Sequence, residues 1–141
     1  MDHNAAFAEL KNLVGSWKGT NEEGDPVEVA FSVTANGSAV VEDWTFHNGM
    51  TALTVYSLDE DTLQARHYCP IGNQPLLELK GRDNQGALVF EFVSARNLPD
   101  PKTDHNRAFD IRMTGKDEMI RNETYRENFV SESNGTRFSR V

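Results

Sequence analysis

The sequence predicts an all-β fold: an antiparallel up-and-down β-barrel of about ten strands with one short N-terminal helix. Three observations predict it. Beyond Gly15 the apolar residues recur at every second position, the period of a strand with one buried face. Asn-Gly, a pair suited to the positive φ angles of a type I′ turn, occurs at Asn36-Gly37, Asn48-Gly49 and Asn134-Gly135. Further turn clusters, Asp59-Glu60-Asp61 and Asp83-Asn84-Gln85-Gly86, join neighbouring runs tightly and so make them antiparallel. A meander of this kind has two open edges, and closing the sheet on itself removes them.

The helix is expected over Asn4–Val14, where Phe7, Leu10 and Val14 fall at i, i+3 and i+7 with Ala6 and Leu13 beside the stripe. Asn4 is the expected N-cap and Gly15 the expected stop, because glycine accepts the left-handed geometry at a helix end. The expected strands are Trp17–Asn21, Val27–Thr34, Ala39–His47, Met50–Leu58, Leu63–Cys69, Leu76–Arg82, Ala87–Ala95, Arg107–Thr114, Glu118–Glu127 and Thr136–Val141. Two loops stand out. Pro70–Pro75 carries Gly72, Asn73 and Gln74 between two prolines, and Arg96–Asn106 is longer and stiffened by Pro99 and Pro101. Distinctive loops on a rigid scaffold are where function concentrates.

With 141 residues, a single domain spanning 1–141 is expected. Hydrophobic residues are only 38% of the chain, which suits strands that turn one face to water. Eight Phe, three Tyr and two Trp remain to fill the core. The net charge of −8 argues against nucleic acid and against anionic membrane surfaces, both of which need basic patches. Cys69, the single cysteine, rules out an intrachain disulfide framework and a cysteine-based zinc site. No run approaches the roughly 18 apolar residues of a spanning helix. The opening MDHNAAFAELKNLVG lacks the basic start and unbroken apolar stretch of a signal peptide, so a cytoplasmic location is expected. Without such a signal the glycosylation-like triplets at Asn36, Asn122 and Asn134 carry little meaning. No phosphate-binding glycine loop, nucleophile elbow or paired-histidine zinc motif is present.

Alternation sorts the remaining polar residues by face. In Ala39–His47 the apolar face carries Val40, Trp44 and Phe46, and it places Glu42 among them. A carboxylate there needs a paired donor or a raised pKa, so Glu42 is read as a ligand anchor, a general base or the partner of an interior arginine. In Leu63–Cys69, His67 and Cys69 share the face of Leu63 and Ala65. A metal site or a thiol nucleophile would need further ligands, and only Glu42 and His105 offer themselves, so no metal and no cofactor is expected. His67 is read instead as a hydrogen-bonding pocket residue or a satisfied core histidine. Asn73 can orient a polar head group or satisfy its own loop, and His105 can reach the same rim or remain an exposed loop residue. Trp44, Phe46, Tyr56, Phe90 and Phe92 are candidate walls.

The helix running into Leu13-Val14-Gly15-Ser16-Trp17-Lys18-Gly19-Thr20 and then a β-meander resembles the calycin superfamily, the group of lipocalins and fatty-acid-binding proteins. The resemblance implies that Trp17 closes one barrel end beneath an arginine of the last strand, Arg140 or less favourably Arg137. The stretch His67-Tyr68-Cys69-Pro70-Ile71-Gly72-Asn73-Gln74-Pro75, with Asn97-Leu98 and His105 beyond it, resembles a set of uncharacterised bacterial lipocalin-like proteins. That likeness implies a central cavity with Glu42, His67, Asn73, Asn97 and His105 as lining or rim residues, and it implies no known reaction. Haem-binding calycins use a late histidine, and none follows His105. The function expected first is binding of a small hydrophobic or amphipathic molecule, with Trp44 and Tyr56 added to the polar set. The alternatives are an enzyme using Glu42 or His67 as general acid/base, and a structural or oligomeric interaction module that forms a homodimer.

Overall fold

Strict alternation of buried and exposed side chains builds the wall of the molecule. A computed structural model describes residues 2–21, 23–125 and 135–141. Its elements are a helix α1 (His3–Lys11) and the strands β1 (Gly15–Thr20), β2 (Pro26–Thr34), β3 (Ala39–Phe46), β4 (Thr51–Asp59) and β5 (Thr62–Tyr68), then β6 (Gln74–Arg82), β7 (Leu88–Arg96), β8 (Ala108–Gly115), β9 (Glu118–Thr124) and β10 (Thr136–Arg140). Each strand pairs antiparallel with the next, and β1 pairs with β10, so the sheet closes into a ten-stranded barrel. This is the fold class the alternation predicts. Val27, Val29 and Phe31 of β2 and Leu63, Ala65 and His67 of β5 point inward, as the period of two requires. Among the described residues no helix is long and apolar enough to cross a membrane.

The helix begins earlier than expected. Asp2, not Asn4, is the N-cap: its carboxylate accepts from the Ala5 N–H at 3.1 Å. Asp and Asn cap equally well, so sequence alone does not choose between them. The helix ends at Lys11, capped by Asn12, which leaves Val14 exposed, while Gly15 opens β1 with φ 132° instead of stopping the helix. Ala6, Phe7 and Leu10 are buried, and His3 Nδ1 accepts from the Leu63 N–H at 2.8 Å. The helix thereby plugs the barrel end formed by the β4–β5 turn, and an exposed Arg82–Glu9 ion pair flanks it.

Two Asn-Gly turns differ from the type I′ expectation. At Asn48-Gly49 only the glycine has positive φ (84°), and Gly49 N–H donates to Phe46 O at 2.9 Å. That is a three-residue loop with a left-handed glycine. At Asn36-Gly37 positive φ begins one residue earlier, at Ala35 (52°), giving a longer left-handed turn. The third pair includes Asn134, which lies outside the described residues, as does the end of the expected strand Glu118–Glu127.

Closure of the sheet is held by Trp17 and Arg140, which lie opposite each other in register. Trp17 is fully buried and its indole N–H donates to Leu13 O at 2.8 Å. The Arg140 guanidinium covers the indole ring at 4.3 Å from its centroid. It also donates to Val14 O (2.6 Å), Asn12 O (3.1 Å) and Lys116 O (3.2 Å), and to the Asp117 carboxylate at 3.1 Å. One side chain thus satisfies carbonyls left over where the helix ends and ties β10 to the segment that leads into β1. Gly15 is required beside it: a Cβ there would sit 3.0 Å from the guanidinium, on a backbone that L-residues avoid. Gly15→Ala is therefore expected to lower stability by about 1–3 kcal/mol, read as a shift in the urea unfolding midpoint. An unchanged midpoint would show that this joint bears no strain.

Candidate functional site

One end of the barrel is plugged by α1, and the other is where the polar groups gather. Glu42 is completely buried on β3, facing inward as alternation predicts. An ionised carboxylate without solvent needs donors, and three converge on it. Trp44 Nε1 donates to Oε2 at 2.7 Å, Tyr56 OH donates to Oε1 at 2.7 Å, and Arg121 of β9 donates to the same oxygen. Of the readings open for Glu42, the structure shows the interior arginine partner directly. The Arg121 guanidinium is as buried as the carboxylate, and its Nε–H donates to Glu123 at 2.7 Å. It packs 4.3 Å from the Phe109 ring centroid and 5.0 Å from that of Trp44.

Electrostatics follow from this geometry. Burial alone works against the charge on Arg121, but Glu42, Tyr56 and Glu123 more than offset it and hold its pKa well above the ordinary value. Burial raises the Tyr56 hydroxyl pKa, and the Glu42 charge raises it further, so Tyr56 stays a donor. Three donors thus share the two Glu42 oxygens.

Glu42, Thr54 and His67 form a single cross-strand row, since Glu42 pairs with Thr54 and Thr54 with His67. All three are buried. His67 Nδ1 shares a hydrogen bond with Thr54 Oγ1 at 2.8 Å, while its Nε2 is buried without a partner among the described residues. Burial pushes the His67 pKa down despite the nearby Glu123 and Glu42 carboxylates, so the ring is neutral in the folded protein near pH 7. Tyr125 lies edge-on to it, with ring centroids 6.4 Å apart. Burial likewise raises the Tyr125 hydroxyl pKa, reinforced by Glu123.

The other expected residues fall in different places. Asn73 is buried and its amide donates to Asp104 O at 3.0 Å, which ties the Pro70–Pro75 loop to the long loop. Its Oδ1 has no partner among the described residues. His105 is buried, not exposed: its backbone N–H meets Tyr125 O at 3.2 Å and its ring lies 5.0 Å from that of Phe92. Asn97 is exposed, with φ 55°, where β7 gives way to the loop. Tyr56 and Phe90 pack edge to face in the core below the polar row, whereas Phe92 is 37% exposed. Cys69 is half-buried and burial raises its thiol pKa, which leaves it a poor nucleophile. Among the described residues no group of three or more His, Cys, Asp or Glu side chains is placed to hold a metal ion.

A cavity of about 270 Å³ opens at this end of the barrel. Its walls are Val27, Trp44, Phe46 and Phe138, all inward or partly buried. Arg121, Glu123 and Tyr125 supply polar groups from β9 and just beyond it, and Asn21, Glu23 and Thr136 complete the lining among the described residues. Sequence reasoning missed Arg121, Glu123 and Tyr125. The signal was available: from the buried Met119, alternation along β9 puts Arg121 and Glu123 on the inner face. Asn106 was missed too; it is fully buried in the loop just before β8, and among the described residues neither amide atom has a partner.

Comparison with protein-family models and with curated proteins finds no match for this chain. The ten-stranded antiparallel barrel with its short N-terminal helix fits a calycin-like architecture.

Two outcomes follow from the buried polar row. Arg121→Met leaves the Glu42 charge uncompensated and should cost about 3–5 kcal/mol in urea unfolding. Adding Glu42→Gln to that variant should recover part of the loss; strictly additive losses would mean the pair is not coupled. His67 has a folded-state pKa below the unfolded value of about 6.5, so the unfolded chain takes up the proton first. Its contribution to stability is therefore complete above pH 6.5 and is lost as pH falls from there toward the lowered folded value. Comparing unfolding midpoints at pH 7.5 and 5.5 for the natural protein and His67→Gln should show a smaller acid loss in the variant. Equal losses would contradict the assignment.

Proposed function

We propose that this protein is a lipocalin-like small-molecule-binding barrel of the calycin type. Its ligand is a small, partly apolar molecule held at the open end of the barrel. The observation that carries this reading is the cavity of about 270 Å³, walled by aromatic and aliphatic side chains and floored by a hydrogen-bonded polar cluster. Such pockets gain affinity from apolar burial and orientation from a few polar groups. The volume exceeds the roughly 150 Å³ that suffices to enclose a benzene molecule, so one compact ligand fits. A cytoplasmic setting belongs to the same proposal and is supported by the free thiol of Cys69.

A second reading, an acid–base enzyme on the same barrel, is favoured by one observation. His67 and Glu42 share the inner face and the same cross-strand row, and His67 Nε2 is unpartnered. On that reading His67 moves the proton and Glu42 holds the surrounding charges, because the Glu42 oxygens are already taken.

Native mass spectrometry of protein purified without detergent, together with titration of the neutral dye Nile red, tests the binding reading. A co-purified small molecule or saturable dye binding is expected. Val27→Phe, which places a ring in the cavity, should weaken dye binding about tenfold, a loss of roughly 1.4 kcal/mol, with an unchanged far-UV circular dichroism spectrum. No bound mass and no saturable binding would sink the proposal.

A further inference from the structure

The sign of the charges around the cavity restricts its ligand further. Arg121 is its one basic lining residue among those described, and that guanidinium is already engaged by two carboxylates, Glu42 below it and Glu123 beside it. An anionic head group reaching Arg121 would have to share it with both and would meet their repulsion at short range, where little water screens it. Glu23 adds a third carboxylate at the rim. The whole chain carries a net charge of −8, so the long-range field also favours the approach of cations.

The walls point the same way. Trp44 and Phe46 are stacked, with centroids 6.1 Å apart and planes 10° apart, and Phe138 meets Trp44 edge-on at 5.7 Å. Tyr125 contributes a further aromatic ring to the lining. Aromatic faces beside carboxylates, in a partly enclosed space, form the environment that favours an ammonium group over a carboxylate: the ring quadrupole and the acidic oxygens both attract positive charge. From the lining charges and rings together, we infer that the cavity takes an organic cation, an ammonium group on a compact apolar or aromatic body, in preference to the corresponding anion. The inference rests on the cavity being a ligand site. The ammonium lies toward Glu123 and Glu23, and the apolar body lies against Trp44 and Phe46.

Isothermal titration of the full chain at pH 7.5 with three probes sharing a phenyl body tests this. The probes are benzyltrimethylammonium, benzyl alcohol and benzoate. The expected order of affinity is cation, then alcohol, then anion, with at least about tenfold between the first and last. Glu123→Gln should shrink that gap several-fold. Glu23→Gln, on the exposed rim and away from the buried pair, should shrink it by a smaller factor and guards against misfolding of the first variant. Benzoate binding as tightly as the cation, or a gap indifferent to both substitutions, overturns the charge preference and leaves the binding barrel standing. Failure of all three probes and of Nile red overturns the binding reading itself.

Discussion

A carboxylate sealed from water has to be answered by donors from its own protein, and in this barrel that demand organises the interior. Glu42 draws an indole N–H from its own strand, a phenol from β4 and a guanidinium from β9 across the lumen. The last of these joins residues far apart in sequence through the middle of the barrel instead of around its wall. Sheet hydrogen bonds define neighbours, but they leave the cross-section free to flatten. An ion pair spanning the lumen restrains that freedom. Its stabilising worth relative to an apolar core is modest, because both charges lost their hydration. What it supplies is a fixed floor: the side chains above it meet a surface that cannot collapse into hydrocarbon.

The two ends of the barrel do different work. At the helix end the Trp17 indole N–H donates to Leu13 O, and Arg140 donates to the carbonyls of Asn12 and Val14. At the other end, His67 Nε2, Asn73 Oδ1 and both amide atoms of Asn106 are buried without partners among the described residues. Each such atom costs on the order of 1–3 kcal/mol if nothing answers it. That cost falls at the end of the barrel where the cavity opens.

Much of this was legible in the sequence, and what was not has physical reasons. Period-two alternation located all ten strands, and it correctly turned Glu42 and His67 inward, because facing is a local property of the pleat. The resemblance carried by the glycine–tryptophan opening implied Arg140, or less favourably Arg137, and it is Arg140 that covers Trp17. Turn type was less legible: Asn48-Gly49 is compatible with two- and three-residue loops, and the strand register decides between them. His105 looked exposed from its place near the end of a long loop, but the loop folds back until its N–H meets Tyr125 O. The partner of Glu42 was legible only as a kind of residue. Nothing local to β9 says that Arg121 reaches across the lumen, because that depends on the barrel's diameter and tilt.

The seam between β1 and β10 has a consequence for how the chain becomes a barrel. Every other strand pair is between neighbours in sequence. The seam alone joins Trp17 to Arg140, with nearly the whole chain between them. Long-range pairing of this kind carries the greatest loop-closure entropy and slows folding. During synthesis β1 must wait, with one edge unpaired, until the residues of β10 have emerged. In that interval Gly19, whose missing side chain lets the Phe138 ring lie close, is part of a bare strand edge. The residues of β10 therefore decide whether a template for aggregation becomes a wall.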